Sequence, residues 1–331
     1  MTTTSTGKLT RNGVHGTDPI MVEVQNLVKH YGQLVAVDHL DLKIREGEVY
    51  GLLGPNGSGK TTTINCILSL LSYEQGEVLI KGQPMRPDSY KLKRDIGVVP
   101  QTISVFEELT VEENIDFFCG LYVSQRQERK ELVEAAIDFV GLQDHRKFHP
   151  EKLSGGLRRR LNIACGMAHR PKLLFLDEPT VAVDPQSRNK ILENVQQLNE
   201  EGVTIVYTTH YMEEVEAICD RIGIMDQGRM IAEGTSSEIK DMIDINEIIR
   251  LELLQPEAEV KLGALDTLPG LMAARVEGEE LILELGRSSS RLPAVLEAVE
   301  AAGILYGQVY YAPPTLNTVF LEITGKALRD N

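Results

Sequence analysis

The 331-residue chain has no tryptophan, only 5% aromatic residues and just four cysteines. It also lacks any run approaching the ~20 apolar residues that a membrane-spanning helix needs, so the chain is not expected to cross a bilayer itself. Cys66, Cys119, Cys165 and Cys219 stand singly, with no CxxC pair and no histidine cluster at zinc spacing. That argues against a disulfide framework and a zinc site and reads as reduced core thiols of a cytosolic protein. A basic excess is missing too. The formal net charge is −15, and such a field disfavours a nucleic-acid partner, whose phosphates need basic patches. The first twenty residues, MTTTSTGKLTRNGVHGTDPI, are polar and without the apolar block of a secretory signal. They are expected to form a disordered tail.

What is present is an ordinary globular composition, 42% hydrophobic and 25% charged. The length is roughly twice a typical domain of about 150 residues, which gives an expectation of two domains. Over residues 21–237 short apolar runs alternate with longer helical patterns, the signature of a mostly parallel sheet covered by helices. Residues 48–53, 172–176 and 203–208 read as buried strands. Between the first two, in about residues 102–168, Val111, Ile115, Phe118 and Leu121 fall on one helical face, so a helical subdomain is expected as an insertion. Residues 238–331 read as a small α+β C-terminal domain after a short helix at 235–242. Its strands are expected at 245–254 and 280–285, with a hairpin turn at Glu277, Gly278 and Glu279. Leu292, Val295, Leu296 and Val299 mark one helix; a last helix follows Pro313 and Pro314, capped by Thr315 and buried along Leu316, Val319, Phe320 and Ile323.

The strongest chemical signal is GPNGSGKT, directly after the strand at 48–53 and directly before an apolar helix. Gly54, Gly57 and Gly59 let the backbone curl so that successive N–H groups face phosphates. Lys60 reaches the β- and γ-phosphates and Thr61 offers a hydroxyl to Mg²⁺. The second signal is an apolar strand ending in Asp177 and Glu178. A carboxylate at the end of a buried strand is costly without a partner. Asp177 suits a Mg²⁺ through its coordinated water, and Glu178 suits a general base that polarises the attacking water. Between them lies Leu153-Ser154-Gly155-Gly156-Leu157, which taken alone is a common helix start.

In this order the set, with a glutamine after a short strand and an isolated histidine after the last one, resembles the nucleotide-binding domain of ABC transporters over about residues 21–237. The resemblance implies a P-loop ATPase fold of the ABC type, with ATP and Mg²⁺ as its ligands. It extends the phosphate loop to Pro55, Asn56, Ser58 and Thr62 and matches Tyr31 to the aromatic that stacks on adenine. Gln101 matches the loop glutamine that meets the metal and water and senses the membrane partner. Asp184 matches the loop joining two nucleotide sites, and His210 the switch histidine on the γ-phosphate. It further implies that Ser154, Gly155 and Gly156 of one subunit close over ATP held by the other. The partners are then a second ATPase subunit, identical or related, and integral membrane permease subunits, with the chain peripheral on the cytoplasmic face of the membrane.

Two departures stand out. Leu157 occupies a place where many members carry glutamine, and the joining loop reads Val181-Ala182-Val183-Asp184 in place of a Ser- or Gly-containing version. Both are expected to tune the rate only. The C-terminal portion looks like the accessory domain of drug- and polyketide-export ATPases, which points to export of a hydrophobic small molecule through a separate permease. The alternatives are an importer subunit and a soluble ABC ATPase. The spacing from Lys60 to Ser154 leaves no room for the long coiled-coil insertion common among the latter.

Overall fold

The computed structural model of the protein describes residues 18–242, 247–256, 260–286, 292–312 and 315–324. The expected N-terminal tail lies almost entirely outside them, as do Pro313 and Pro314. Two compact units are divided between Ser236 and Ser237. Among the described residues no helix is long and apolar enough to cross a membrane.

The first unit opens with two long antiparallel strands, β1 (Ile20–Tyr31) and β2 (Leu34–Arg45), followed by β3 (Val49–Leu53) and α1 (Lys60–Ile67). Then come β4 (Gln75–Ile80), β5 (Gln83–Pro84), α2 (Tyr90–Lys93) and β6 (Ile96–Val99). Three helices intervene before the sheet resumes: α3 (Val111–Gly120), α4 (Arg126–Val140) and α5 (Gly155–Met167). The chain returns through β7 (Leu173–Asp177), α6 (Pro185–Glu200), β8 (Thr204–Thr209) and α7 (Met212–Ile218). It ends the unit with β9 (Arg221–Asp226) and β10 (Arg229–Gly234).

These strands form two sheets, one ordered β2-β1-β4-β5 and one ordered β10-β9-β3-β8-β7-β6. In the second, β6, β7, β8, β3 and β9 run parallel and β10 is antiparallel to β9. Strands β3, β7 and β8 are buried at every residue, as expected of parallel strands covered on both faces. Their register sets Leu53 beside Thr209 and Asp177 beside Thr208. The loops leaving three adjacent strands therefore emerge along one edge, where open α/β sheets bind ligands.

The intervening helices pack through Val111, Ile115, Ile137, Val140 and Leu161. α3 begins with a full capping box, Thr110 and Glu113 satisfying each other's backbone N–H. Leu121 does not share the buried face: it caps the C-terminus of α3 and is 62% exposed. Cys66, Cys119 and Cys165 are buried and Cys219 is half-buried.

α8 (Ser236–Asp241) spans the division. In the second unit β11 (Glu247–Leu253), β12 (Leu271–Glu277), β13 (Glu280–Leu285) and β14 (Tyr306–Ala312) make an antiparallel sheet ordered β12-β13-β11-β14. The β12–β13 hairpin turns at Gly278, as its sequence requires. The core joins Ile249, Leu251, Leu281 and Leu283 to Val295 and Val299 of α9 (Leu292–Ala301). α10 (Leu316–Thr324) starts at Thr315, whose hydroxyl accepts from the Thr318 N–H at 3.2 Å. Leu316, Val319 and Phe320 are fully buried, but Ile323, near the helix end, is 36% exposed.

Candidate functional site

The loop between β3 and α1 is wound tightly by its glycines. Gly59 has φ +105°, and a Cβ there would strike the carbonyl oxygen of Ala36, so both backbone and space demand glycine. Lys60, the first residue of α1, is 5% exposed. Its Nζ donates to the carbonyl oxygens of Gly54 at 2.8 Å and Pro55 at 3.2 Å. Burial pushes its ammonium pKa down, against the pull of Glu178 and Asp177.

The adjacent strand end brings in the carboxylates. Thr61 Oγ1 donates to Asp177 Oδ2 at 2.9 Å, and Thr208 Oγ1 donates to Oδ1 at 2.6 Å. Both oxygens of this buried carboxylate are thereby satisfied. Glu178 follows with a left-handed backbone, φ +46°, an uncommon conformation for a non-glycine residue and one that collects at functional sites. Its N–H donates to the Thr208 hydroxyl at 2.9 Å.

The Glu178 side chain points among three others. Gln101 Nε2 donates to Oε2 at 2.9 Å, His210 Nδ1 lies 3.6 Å from Oε2, and Lys60 Nζ lies 3.6 Å from Oε1. The His210 imidazole holds the carboxyl below the usual glutamate range; burial opposes this and the Lys60 ammonium reinforces it. A carboxylate so placed is ionised at neutral pH and has an acceptor oxygen facing the loop. The arrangement is chemically able to orient a water against a phosphate held by the Lys60 loop.

A cleft of about 300 Å³ is lined by Tyr31, Asn56, Gly57, Ser58, Gly59, Lys60, Thr61, Thr62, Gln101 and Glu178. All ten are expected from the sequence. Gly54, Pro55, Asp177 and His210 stand just behind, through the contacts above. Leu34, Val35 and Ala36 also line the cleft and were not anticipated. Tyr31 is 48% exposed and Leu34 66%, a paired apolar platform; their only sequence trace is an apolar pair just past the Gly32 turn. Thr208 was missed as well, since a threonine inside a buried strand looks like ordinary β-branched packing.

Ser154 and Asp184 are not part of this cleft. They line a separate cavity of about 670 Å³ together with Leu157, Arg160 and Ser187. Ser154 caps α5, its hydroxyl accepting from the Leu157 N–H at 3.3 Å, and Asp184 caps α6 by accepting from the Ser187 N–H at 2.9 Å. The Ser187 contact holds the Asp184 carboxyl below its usual range. Gly155 and Gly156 form the first turn of α5. Gly156 needs its missing side chain, because a Cβ there would lie 2.7 Å from Cβ of Ser187 and 2.9 Å from Oδ2 of Asp184.

Comparison with known proteins agrees with this geometry. Residues 37–181 match the ABC transporter family. The linearmycin resistance ATP-binding protein LnrL of Bacillus subtilis is 39% identical over 312 residues, which is 94% of this chain and 100% of that protein. The daunorubicin resistance ATP-binding protein DrrA3 of Streptomyces coeruleorubidus is 34% identical over 92% of this chain and 96% of that one. Among solved structures, a dimeric ATP-binding cassette in a post-hydrolysis state bound to ADP and Pi is 30% identical. It superimposes with a TM-score of 0.60, covering 65% of this chain and 98% of that one. The chain belongs to the ABC transporter family, as one of its ATP-binding, ATP-hydrolysing proteins.

Proposed function

We propose that this chain powers export of a hydrophobic small molecule through a separate membrane permease, working as a dimer on the cytoplasmic face of the membrane. Its relatives named for linearmycin and daunorubicin resistance support the direction and the substrate class. The observation that carries the motor role is the convergence of Lys60 and His210 on Glu178, each 3.6 Å from one of its carboxylate oxygens.

The residues assume the following roles. Tyr31 supports the adenine, and the N–H groups from Gly54 to Thr62 cradle the phosphates beside Lys60. Thr61 and Asp177, 2.9 Å apart, fit a hard cation with Gln101 nearby, and Mg²⁺ bound there would neutralise charge on the β- and γ-phosphate oxygens. Glu178 holds the attacking water and takes up its proton as the water oxygen bonds to the γ-phosphorus and the bond from that phosphorus to the β-phosphate oxygen breaks, releasing ADP. His210 faces the γ-phosphate and steadies the Glu178 carboxylate. Ser154, Gly155 and Gly156 serve the nucleotide of the opposite subunit, with Asp184 at the junction, since in this chain Ser154 and Asp184 line a cavity apart from the Lys60 cleft. Residues 21–237 constitute the ATPase domain, about 102–168 of it the helical subdomain, and residues 238–331 an accessory domain.

Inverted vesicles carrying the chain with its permease provide the test. ATP-dependent accumulation of an apolar drug probe, lost with Lys60→Ala, is the expected result; ATP-dependent depletion from the vesicles would reverse the direction.

A further inference from the structure

The end of β8 and the first turn of α6 meet at a carboxylate to which the mechanism above gives no role. Glu214, on α7, is fully buried. Its Oε2 accepts from the Tyr207 hydroxyl at 2.8 Å and the Thr209 hydroxyl at 2.9 Å, and its Oε1 lies 2.7 Å from Nε of Arg188. A buried carboxylate is costly unless its charge is paired and its lone pairs are filled. Here the charge is paired by Arg188 of α6 and Oε2 is filled by two hydroxyls of β8, while Oε1 has the Arg188 ion pair but no hydrogen bond among the described residues.

Arg188 stands in the first turn of α6, its backbone N–H bonded to the Asp184 carbonyl at 2.9 Å. The guanidinium also lies 4.8 Å from the centre of the Tyr211 ring, a cation–π distance. On the other side, Thr209 Oγ1 accepts from the Tyr211 N–H at 3.0 Å, and the Tyr211 ring is 4.2 Å from that of His210. One carboxylate therefore grips the helix start that Asp184 caps and the backbone that presents His210. The same helix start packs against Gly156, through Ser187 and Asp184.

We propose that Glu214 is a positioning residue that locks the His210 loop to the first turn of α6 through Arg188. The side of the chain that faces its own nucleotide then shifts together with the side that carries the Ser154 helix. This rests on the reading of His210 as the group facing the γ-phosphate.

Glu214→Gln isolates the ion pair, because the amide oxygen still accepts from Tyr207 and Thr209 while an uncharged NH₂ meets Arg188. Arg188→Gln breaks the pair from its partly exposed side, the Arg188 side chain being 30% exposed, but it leaves the buried Glu214 charge without its partner, so Glu214→Gln is the variant that avoids an unpaired buried charge. In steady-state ATP hydrolysis by the full-length chain, each variant should lose about 10- to 100-fold in kcat, the scale of a small misplacement of a reacting group. KM for MgATP should stay at the parent value. The double variant should be no slower than the slower single one, as required when two residues act through one contact. Parent-like kcat in both single variants would overturn the proposal. So would losses that multiply in the double variant, or losses of nucleotide affinity that match the loss of kcat. His210→Ala in the same assay separates the two readings. If it turns over like the parent, the reading of His210 fails; if it is impaired while Glu214→Gln is not, only the link fails.

Discussion

The hydroxyl of Thr61 lies 2.9 Å from Oδ2 of Asp177, joining the start of α1 to the end of β7. The contact exists because β3 and β7 flank β8 in parallel, with Asp177 in register beside Thr208. Asp177→Asn keeps the shape and the Thr208 contact but removes the charge. The Mg²⁺ concentration for half-maximal turnover should rise roughly 10- to 100-fold, the usual effect of disturbing the shell around a metal. A magnesium titration of ATP hydrolysis reads this directly; an unchanged midpoint would remove Asp177 from the metal site.

The Glu178 carboxyl carries a pH signature with a definite sign. Its folded pKa is depressed below the ordinary value of 4.5, chiefly by His210 and then by Lys60, against the opposing effect of burial. A depressed carboxyl contributes stability that is fully present above the unfolded value and is lost as pH falls through the folded one. The stability of the parent relative to Glu178→Gln should therefore decline as pH falls below 4.5. Denaturant unfolding at a series of pH values tests it, and His210→Ala should flatten the decline.

Much of this architecture is legible in the sequence wherever a signal is local. Buried strands β3, β7 and β8 appear as short apolar runs, and the expected boundaries differ from the observed ones by a single residue, at the start of β3 and at both ends of β7 and β8. The Lys60 loop and the Asp177-Glu178 pair are contiguous motifs whose flanking elements already imply their chemistry. β1 is different. Its ladder with β2 has register shifts between Val24 and Leu27 and again between Leu27 and Lys29, so side chains lose the two-residue alternation that betrays a strand. Leu121 and Ile323 obey helical periodicity but sit at helix ends, where they are 62% and 36% exposed. The meeting of Arg188 with Glu214 depends on tertiary convergence alone, and no spacing announces it.

Gly156→Ala would ordinarily favour a helix by about 1 kcal/mol. In this position the new Cβ would lie 2.7 Å from Cβ of Ser187, well inside contact distance. Overpacking typically costs about 1–3 kcal/mol, so the sign should reverse and the variant should be destabilised. Thermal unfolding of the pair measured in a Ser187→Gly background should show most of that cost disappear, leaving the 2.9 Å approach to Asp184 Oδ2. A cost undiminished without the Ser187 side chain would place the clash elsewhere.

The separation of Ser154 from Lys60 makes a demand on assembly. Ser154 caps α5 in a cavity shared with Asp184, while the Lys60 loop lines a different cleft. The start of α5 offers backbone N–H groups suited to an anion. If each chain supplies half of each site, retaining ATP should hold two chains together. Removing a general base typically costs ~10² to 10⁴-fold in rate while leaving binding largely intact. Glu178→Gln should therefore keep ATP, stop consuming it, and elute as a dimer in gel filtration with MgATP. Adding Ser154→Arg should return it to a monomer, because bulk and charge then occupy the position where the γ-phosphate of the opposite subunit must pack. The parent should also lose activity per chain on dilution, as dimers dissociate. Activity per chain that holds constant to nanomolar concentration, with Glu178→Gln monomeric in MgATP both alone and with its permease, would mean that one chain completes its own site.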